Sequence, residues 1–401
     1  MITKIFALII SLLIAVSVQA SPKIEHWQTS NGARVYFVAA PELAMVDIEV
    51  VFDAGSARDG DLSGTALLTN AMLNEGAAGL NTNQIAAEFA TFSNVLTQPD
   101  FPVTSFERLQ KQMLIGLQAE KQSPAAIAAR AFYTNLYGKH PYAAMPSGDE
   151  SSVNKLNIAA LKAFYQQYYV AKNATVVLVG AINTEQAKDI AEHLLAGLPA
   201  GKVAAPLAQV ATLASAKTVT IKHPSSQTHI VMGQPGMSRH DPDYFALYVG
   251  NHILGGSGLV SQLSNEIREK RGLSYSVYSY FRPMRELGPY QFGLQTRNDQ
   301  AKEALTVMQQ TLNNFIEKGP TEAELIAAKQ NITGGFALRV DSNSKIADYT
   351  AMIGFYGLPL DYLDTFNANV NAISIKQIKD AFSRRVHPDK MVTILVGGQA
   401  E

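Results

Sequence analysis

An arginine and a tyrosine seven residues apart, Arg268 and Tyr275, form the strongest candidate site in this sequence of 401 residues. A guanidinium carries five N–H donors and a phenol carries one O–H donor, so together they could hold a peptide carbonyl or a developing oxyanion. The spacing alone also allows a structural interpretation, in which Arg268 is solvated and Tyr275 lies half-buried in a strand. The elements around the pair determine whether the two side chains meet.

These elements are predicted to be a helix, a turn and a strand. A glycine-rich stretch precedes a helix whose apolar positions recur every four residues, at Leu259, Leu263 and Ile267. Gly272 suits the left-handed conformation that closes a helix. Apolar and aromatic residues then alternate with polar ones through 273–278, which is the period of a strand. This order would bring Arg268 and Tyr275 toward a common region.

Segment 263–277, LSNEIREKRGLSYSV, resembles the C-terminal-domain signature of the insulinase/pitrilysin zinc peptidases. Segments 254–256 and 137–142 are also similar to that family, and the resemblance covers essentially the whole chain after its leader. It implies α+β domains in pairs, with this chain forming half of a clamshell that closes around a peptide. It also implies that Arg268 and Tyr275 bind the substrate backbone opposite the metal.

The zinc ligands of that family are missing from this sequence. The family holds zinc with an inverted His-x-x-Glu-His motif on the first helix of its N-terminal half, where the glutamate acts as base for the attacking water. The motif positions fall on Leu67, Asn70 and Ala71, and a later carboxylate ligand would fall near Ile115 or Gly116. None of these side chains replaces the family's ligands or its base. We therefore predict no catalytic residue and no metal site in this chain.

The rest of the sequence offers no substitute chemistry. No two of the eight histidines lie three to five residues apart, so the sequence contains no helical histidine chelate. It has no cysteine and no Gly-x-Ser-x-Gly nucleophile motif. A net charge of −1 with 17% charged residues and no basic stripe argues against nucleic acid as a partner.

Two apolar runs that end in glycine, 175–180 and 392–397, indicate an internal duplication. Counted back from these runs, segments 105–180 and 321–397 align over almost equal lengths. Each copy begins with what we predict to be a capped helix start, at Ser105 and at Thr321. We therefore predict an α+β fold of two homologous α/β sandwich domains.

Upstream of these segments the two copies differ. In the first copy 51 residues separate an early strand from Ser105, whereas 85 residues separate the equivalent strand from Thr321. The difference, 85 minus 51, predicts a first domain shortened by about 34 residues, enough for two strands and a helix. The shortfall falls near residues 90–91. An insertion in the second copy is the alternative.

The N-terminus has the pattern of a signal peptide over residues 1–20. Lys4 precedes a 14-residue apolar core, and a small-residue cleavage site lies between Ala20 and Ser21. The core is short for a membrane span, although an uncleaved anchor is the alternative. We predict a mature chain that is periplasmic or secreted and has no membrane span.

The remaining residues divide into three predicted parts. An N-terminal domain, residues 21–199, carries the degenerate metal site. A linker rich in Ala, Pro and Gly covers residues 200–217. A C-terminal domain, residues 218–401, carries Arg268 and Tyr275.

Together, the resemblance and the missing ligands predict a non-catalytic, substrate-binding subunit of a heterodimeric zinc peptidase that acts on peptides in the periplasm. In such heterodimers of the family, one chain carries zinc and the other supplies the arginine–tyrosine pair. The expected partners are a zinc-bearing paralogous subunit and a peptide substrate, and we expect no cofactor on this chain and no enzyme activity by the chain alone. The alternative is a non-proteolytic peptide-binding or assembly module of the same fold.

Overall fold

The structure is a computed structural model that describes residues 23–42, 44–81, 84 and 92–398. The predicted signal peptide and residues 90–91, where the first copy is predicted to be short, lie outside the described residues. In the part of the chain that is described, no helix combines the length and apolar character needed to cross a bilayer.

The first half, residues 23–199, combines a sheet with helices. Its strands are β1 (Ile24–Gln28), β2 (Arg34–Ala39), β3 (Val46–Phe52), β4 (Gly76–Ala77), β5 (Leu80–Asn81) and β6 (Ala174–Gly180). Its helices are α1 (Thr65–Leu73), α2 (Phe92–Thr97), α3 (Val103–Glu120), α4 (Pro124–Tyr137), α5 (Glu150–Lys155), α6 (Ile158–Tyr168) and α7 (Thr184–Leu195).

The second half, residues 200–398, has the larger main sheet. Its strands are β7 (Lys217–Ile221), β8 (Gln227–Pro235), β9 (Val277–Phe281), β10 (Pro289–Arg297) and β11 (Val392–Val396). Its α-helices are α8 (Tyr244–Asn251), α9 (Gln262–Ser264), α10 (Ala301–Lys318), α11 (Glu322–Gly334), α12 (Asn343–Tyr356), α13 (Tyr362–Ala372) and α14 (Ile375–Arg385). Two wider π-helical segments, His252–Gly256 and Asn265–Glu269, follow α8 and α9.

The two main sheets share a pattern of strand pairing. In the four-stranded sheet, ordered β1-β2-β6-β3, strand β6 is parallel to β2 and antiparallel to β3. In the five-stranded sheet, ordered β7-β11-β8-β10-β9, strand β11 is parallel to β7 and antiparallel to β8. The strands β6 and β11 contain the two apolar runs that the sequence repeats. The mixed α/β architecture predicted from the sequence is therefore confirmed.

The two halves exchange a helix. Helix α4 of the first half packs on β8 and β11, and α12 of the second half packs on β3 and β6. Glycines allow both close approaches: a Cβ on Gly233 would lie 2.9 Å from Phe132 Cζ, and one on Gly354 would lie 2.6 Å from Tyr36 Cε2. One buried apolar cluster consequently includes residues of both halves.

The predicted linker packs against the protein along much of its length. Residues 201–213 form neither helix nor strand, but Leu207, Val210 and Leu213 belong to the apolar cluster beneath α4. The Arg58 guanidinium also donates a hydrogen bond to the Ala205 carbonyl at 2.6 Å. Because these contacts hold the segment to both halves, it is more constrained than its Ala-, Pro- and Gly-rich composition indicated.

One of the two predicted helix starts is wrong. Thr321 caps α11 in a reciprocal box with Glu324, as predicted. Ser105 does not cap α3, which begins two residues earlier at Val103, directly after Pro102. Proline provides no N–H for the helix and its fixed φ favours the helix entry, so it moves the start upstream.

Candidate functional site

The guanidinium of Arg268 stacks on the ring of Tyr275, with Arg268 Cζ 4.7 Å from the ring centroid. Arg268 lies in the π-helical segment, which is anchored by the buried Ile267. Gly272 then turns the chain with φ +62°, so the predicted left-handed position is confirmed. The turn is closed by a hydrogen bond from Leu273 N–H to the Ile267 carbonyl at 2.9 Å. Helix end and turn together fold Tyr275 back over Arg268.

Both side chains present their donors to solvent. Tyr275 is 80% exposed and the Arg268 side chain is 27% exposed. Within the described residues, the phenol has no hydrogen-bond partner, and the guanidinium has only a 3.4 Å ion pair with the exposed Glu269. The pair therefore has free donors for a ligand, and the half-buried tyrosine of the structural interpretation is wrong.

The strand predicted through Tyr275 begins later than expected, at Val277. The alternation fails because Leu273 and Ser274 are both buried, while Tyr275 and the residue after it are both exposed. Ser274 Oγ lies 2.7 Å from the carbonyls of Ser276 and Gln295, which fixes an irregular bend. This bend turns the tyrosine out of the sheet.

The predicted helix stripe before the pair is also partly wrong. Leu263 and Ile267 are fully buried, but Leu259 is 62% exposed. It lies in a separate 3-10 turn, Gly258–Val260, that precedes the N-cap Ser261 of α9. The helix thus starts one turn later than the glycine-rich stretch indicated.

The positions of the inverted zinc motif lie on α1, as the resemblance implies. Leu67, Asn70 and Ala71 share the outer face of this helix, whose opposite face buries Leu68 and Met72. Leu67 is 46% exposed. The neighbouring helix α3 carries Ile115 and Gly116, also exposed.

An alkyl side chain, an amide and a methyl group do not fit a zinc site, so α1 supports no metal-dependent step. Asn70 donates only a long hydrogen bond, 3.4 Å, to the Tyr169 hydroxyl. Across the described residues, no group of three or more His, Cys, Asp or Glu side chains could hold a metal ion.

Asp59 holds the N-terminus of the helix that carries these positions. Its two carboxylate oxygens accept hydrogen bonds at 2.8 Å from the backbone N–H groups of Gly64 and Ala66. Burial raises the pKa of Asp59 to about 6, against the opposing effect of these two hydrogen bonds.

Because the native state binds this proton more tightly than the unfolded chain, the contribution of Asp59 to stability is largest below its unfolded pKa. It is lost as the pH rises through about 6. We expect the free energy of unfolding of the wild type, relative to Asp59→Asn, to fall by about 2 kcal/mol between roughly pH 4.5 and pH 7. Urea unfolding of both proteins across this range measures the difference. A difference that does not change with pH would contradict the assignment.

Sequence reasoning missed a tyrosine pair beside the arginine–tyrosine pair. Tyr278 and Tyr280 stack on the partly exposed face of β9, with ring centroids 5.8 Å apart and planes at 18°. Burial raises the pKa of Tyr280 to about 12, with the nearby Tyr133 adding to the shift. The i, i+2 spacing of the tyrosines was the available signal. Strand β9 is an edge of its sheet, so the arginine–tyrosine pair lies at the start of an edge strand.

Comparison with known proteins identifies the family. A family model described as peptidase M16 inactive domain matches residues 155–332. A crystal structure of a peptidase M16 inactive domain from Pseudomonas fluorescens superimposes with a TM-score of 0.90 and 37% identity, over 94% of this chain and 98% of that chain. The chain belongs to the M16 peptidase family. The predicted membership of the insulinase/pitrilysin peptidases, as a non-catalytic member, is confirmed.

Two curated M16 relatives come from one organism, Helicobacter pylori. A protein named non-peptidase homolog YmxG is 26% identical over 93% of this chain and 94% of that protein. A protein named zinc protease PqqE is 24% identical over 66% of this chain and 62% of that protein. The chain spans about half the length of several further relatives named as uncharacterised zinc proteases. This M16 chain is thus similar both to proteins named as inactive or non-peptidase and to proteins named as zinc proteases.

Proposed function

We propose that this M16 chain is the non-catalytic, substrate-binding subunit of a two-chain zinc peptidase. The observation that carries the proposal is the stacked, exposed pair of Arg268 and Tyr275, whose donors have no competing acceptor beyond Glu269 in the described residues. The motif positions on α1, in contrast, carry no zinc ligand. A chain with a binding pair but no metal chemistry suits a partner that supplies the metal.

The pair can bind a peptide backbone in one defined orientation. Stacking on Tyr275 holds the planar guanidinium against the ring and limits the rotamers of the Arg268 side chain. Less conformational entropy is therefore lost when a ligand binds. The free N–H and O–H groups can then donate to a carbonyl, or to the oxyanion that forms when water attacks it. Holding the peptide this way contributes to catalysis through positioning, even though the base and metal are on another chain.

The relatives support a paralogous partner. One organism holds both a relative named as a zinc protease and a relative named as a non-peptidase homologue. We infer an equivalent division for this chain, with a zinc-bearing M16 subunit as partner and a peptide as substrate. The signal-peptide pattern of residues 1–20 supports action in the periplasm after cleavage.

We further infer that the two halves arose by duplication, with bounds near residues 21–199 and 218–401. The shared strand pairing around β6 and β11 supports this. The second sheet continues beyond β8 with β10 and β9, whereas no described strand continues the first sheet beyond β3. This difference fits a first half shortened by about 34 residues and would leave half a clamshell without a complete catalytic cleft.

The test is reconstitution with the zinc-bearing M16 paralogue encoded in the same genome. Each chain is purified with its leader removed, and zinc content, complex formation and hydrolysis of a peptide mixture are measured separately and together. We expect a stoichiometric complex with zinc on the partner only, and hydrolysis that rises at least about tenfold on mixing. Absence of a complex would refute the two-chain peptidase. A complex without a gain in hydrolysis would instead support the non-proteolytic assembly module.

A further inference from the structure

A cavity of about 300 Å³ lies within the helical layer of the second half, away from the arginine–tyrosine pair. Its walls are aromatic: Tyr244 and Tyr248 of α8 stack in parallel with ring centroids 6.1 Å apart, and Tyr349 of α12 faces the same space. The buried rings of Tyr362 and Phe366 line it from α13. Its size is at the lower end of small-molecule pockets, and its lining is typical of them.

Two guanidinium groups face this cavity without a carboxylate partner. Arg239 Nη1 donates to the Tyr244 hydroxyl at 3.1 Å, and its Nε is buried with no hydrogen-bond partner. Arg339 Nη1 donates to the Tyr248 hydroxyl at 3.1 Å. Neither arginine forms an ion pair anywhere in the described residues. Paired N–H donors of this kind bind carboxylates with high specificity.

The field around Arg339 is correspondingly positive. The neighbouring His252 has its pKa lowered by burial and, secondarily, by the Arg339 charge. Arg239 is held between two rings, 5.6 Å from the Tyr244 centroid and 5.2 Å from that of Tyr356. Stacking fixes its guanidinium in place before any ligand arrives.

A carboxylate lines the same cavity. Asp348 of α12 lines it and has no cation within ion-pair distance among the described residues. Across the junction between the halves, Glu49 of β3 has its pKa raised by burial and by the charge of Asp348. Among the described residues the Asp348 carboxylate therefore has no ion-pair partner, and the same is true of the two guanidinium groups.

We propose that this cavity binds a free aromatic α-amino acid, with its carboxylate on Arg239 and Arg339 and its ammonium toward Asp348. The aromatic walls would hold the side chain, and the tyrosine rings of the lining add a cation–π surface for the ammonium. This binding site is independent of the proposed peptidase role, since it shares no residue with the arginine–tyrosine pair.

The experiment is calorimetric titration of the full mature chain with three probes: phenylalanine, phenylacetate and phenethylamine. Phenylacetate lacks the ammonium and phenethylamine lacks the carboxylate. We expect phenylalanine to bind, and each of the other probes to bind at least about tenfold more weakly, since each leaves one charged group unpaired. If none of the probes binds at millimolar concentration, the proposal is wrong.

Substitutions in the cavity test the carboxylate contact and the ammonium contact of the ligand separately. Arg339→Gln should weaken phenylalanine and phenylacetate about tenfold and leave phenethylamine unchanged, while Asp348→Asn should weaken only the two ammonium probes. The matched control is Arg297→Gln, because Arg297 is an exposed arginine paired with Asp299 outside the cavity. Met352→Trp fills the cavity and should abolish binding of all three probes in a protein whose circular dichroism shows it is folded. Binding that survives Met352→Trp, or that ignores Arg339→Gln, overturns the assignment.

Discussion

Replacing Arg268 by glutamine in the proposed two-chain peptidase is expected to lower kcat/KM for peptide hydrolysis by about 100-fold. The glutamine amide keeps a donor but loses the charge and the planar fork that stacks 4.7 Å above Tyr275. Tyr275→Phe keeps the ring under Arg268 and removes only the hydroxyl, so we expect a smaller loss, about tenfold. Assembly, measured by gel filtration with the zinc-bearing partner, should be unchanged in both variants.

Arg271→Gln provides the matched control for this prediction. Arg271 lies three residues further on, and its side chain is 38% exposed against 27% for Arg268, but its guanidinium is paired with Glu266 at 2.7 Å. Its replacement should leave hydrolysis within about twofold of the wild type, because an exposed ion pair contributes little. Equal losses at residues 268 and 271 would indicate a general effect of charge on this loop. Unchanged hydrolysis in Arg268→Gln would show that the arginine–tyrosine pair does not bind the substrate.

Local patterns in the sequence correctly predicted the turn beside the arginine–tyrosine pair and one helix cap. The turn at Gly272 needs a positive φ, which glycine adopts readily, so the residue type itself indicated the turn. The capping box of Thr321 and Glu324 lies within four residues and was equally visible. The positions of α1 that replace the family's zinc ligands could be located from the resemblance alone, because the His-x-x-Glu-His motif has a fixed spacing along its helix.

Contacts between distant segments could not be predicted from the sequence pattern. The bend that exposes Tyr275 depends on a hydrogen bond between Ser274 Oγ and the Gln295 carbonyl, 21 residues away. The alternation of apolar and polar residues therefore predicted a regular strand through Tyr275, whereas Ser274 interrupts the strand there. The exchange of α4 and α12 was invisible for a similar reason: an apolar helix face shows that a helix is covered, and it does not show which sheet covers it. Two halves read as separate domains thus turn out to share a core.

That shared core predicts a large and non-local effect of Phe132→Ala. Phe132 lies on α4 in the first half, is fully buried, and packs against β8 of the second half at Gly233. Removing the ring should lower the free energy of unfolding by about 3–5 kcal/mol. The loss should reach the first sheet as well, since α12, which covers that sheet, belongs to the half that Phe132 stabilises.

The chain contains a single tryptophan, Trp27, and it lies on β1 of the first sheet. Its fluorescence therefore reports the first half, while far-UV circular dichroism reports both halves. In denaturant unfolding of Phe132→Ala, we expect both signals to shift to the same lower midpoint, because exchanged helices make each sheet depend on the other half. The exposed Ile326 serves as the control, with Ile326→Ala staying within about 0.5 kcal/mol of the wild type. A Trp27 transition that keeps the wild-type midpoint in Phe132→Ala would show two independently stable domains, and the first half would then have to hold its fold without the second.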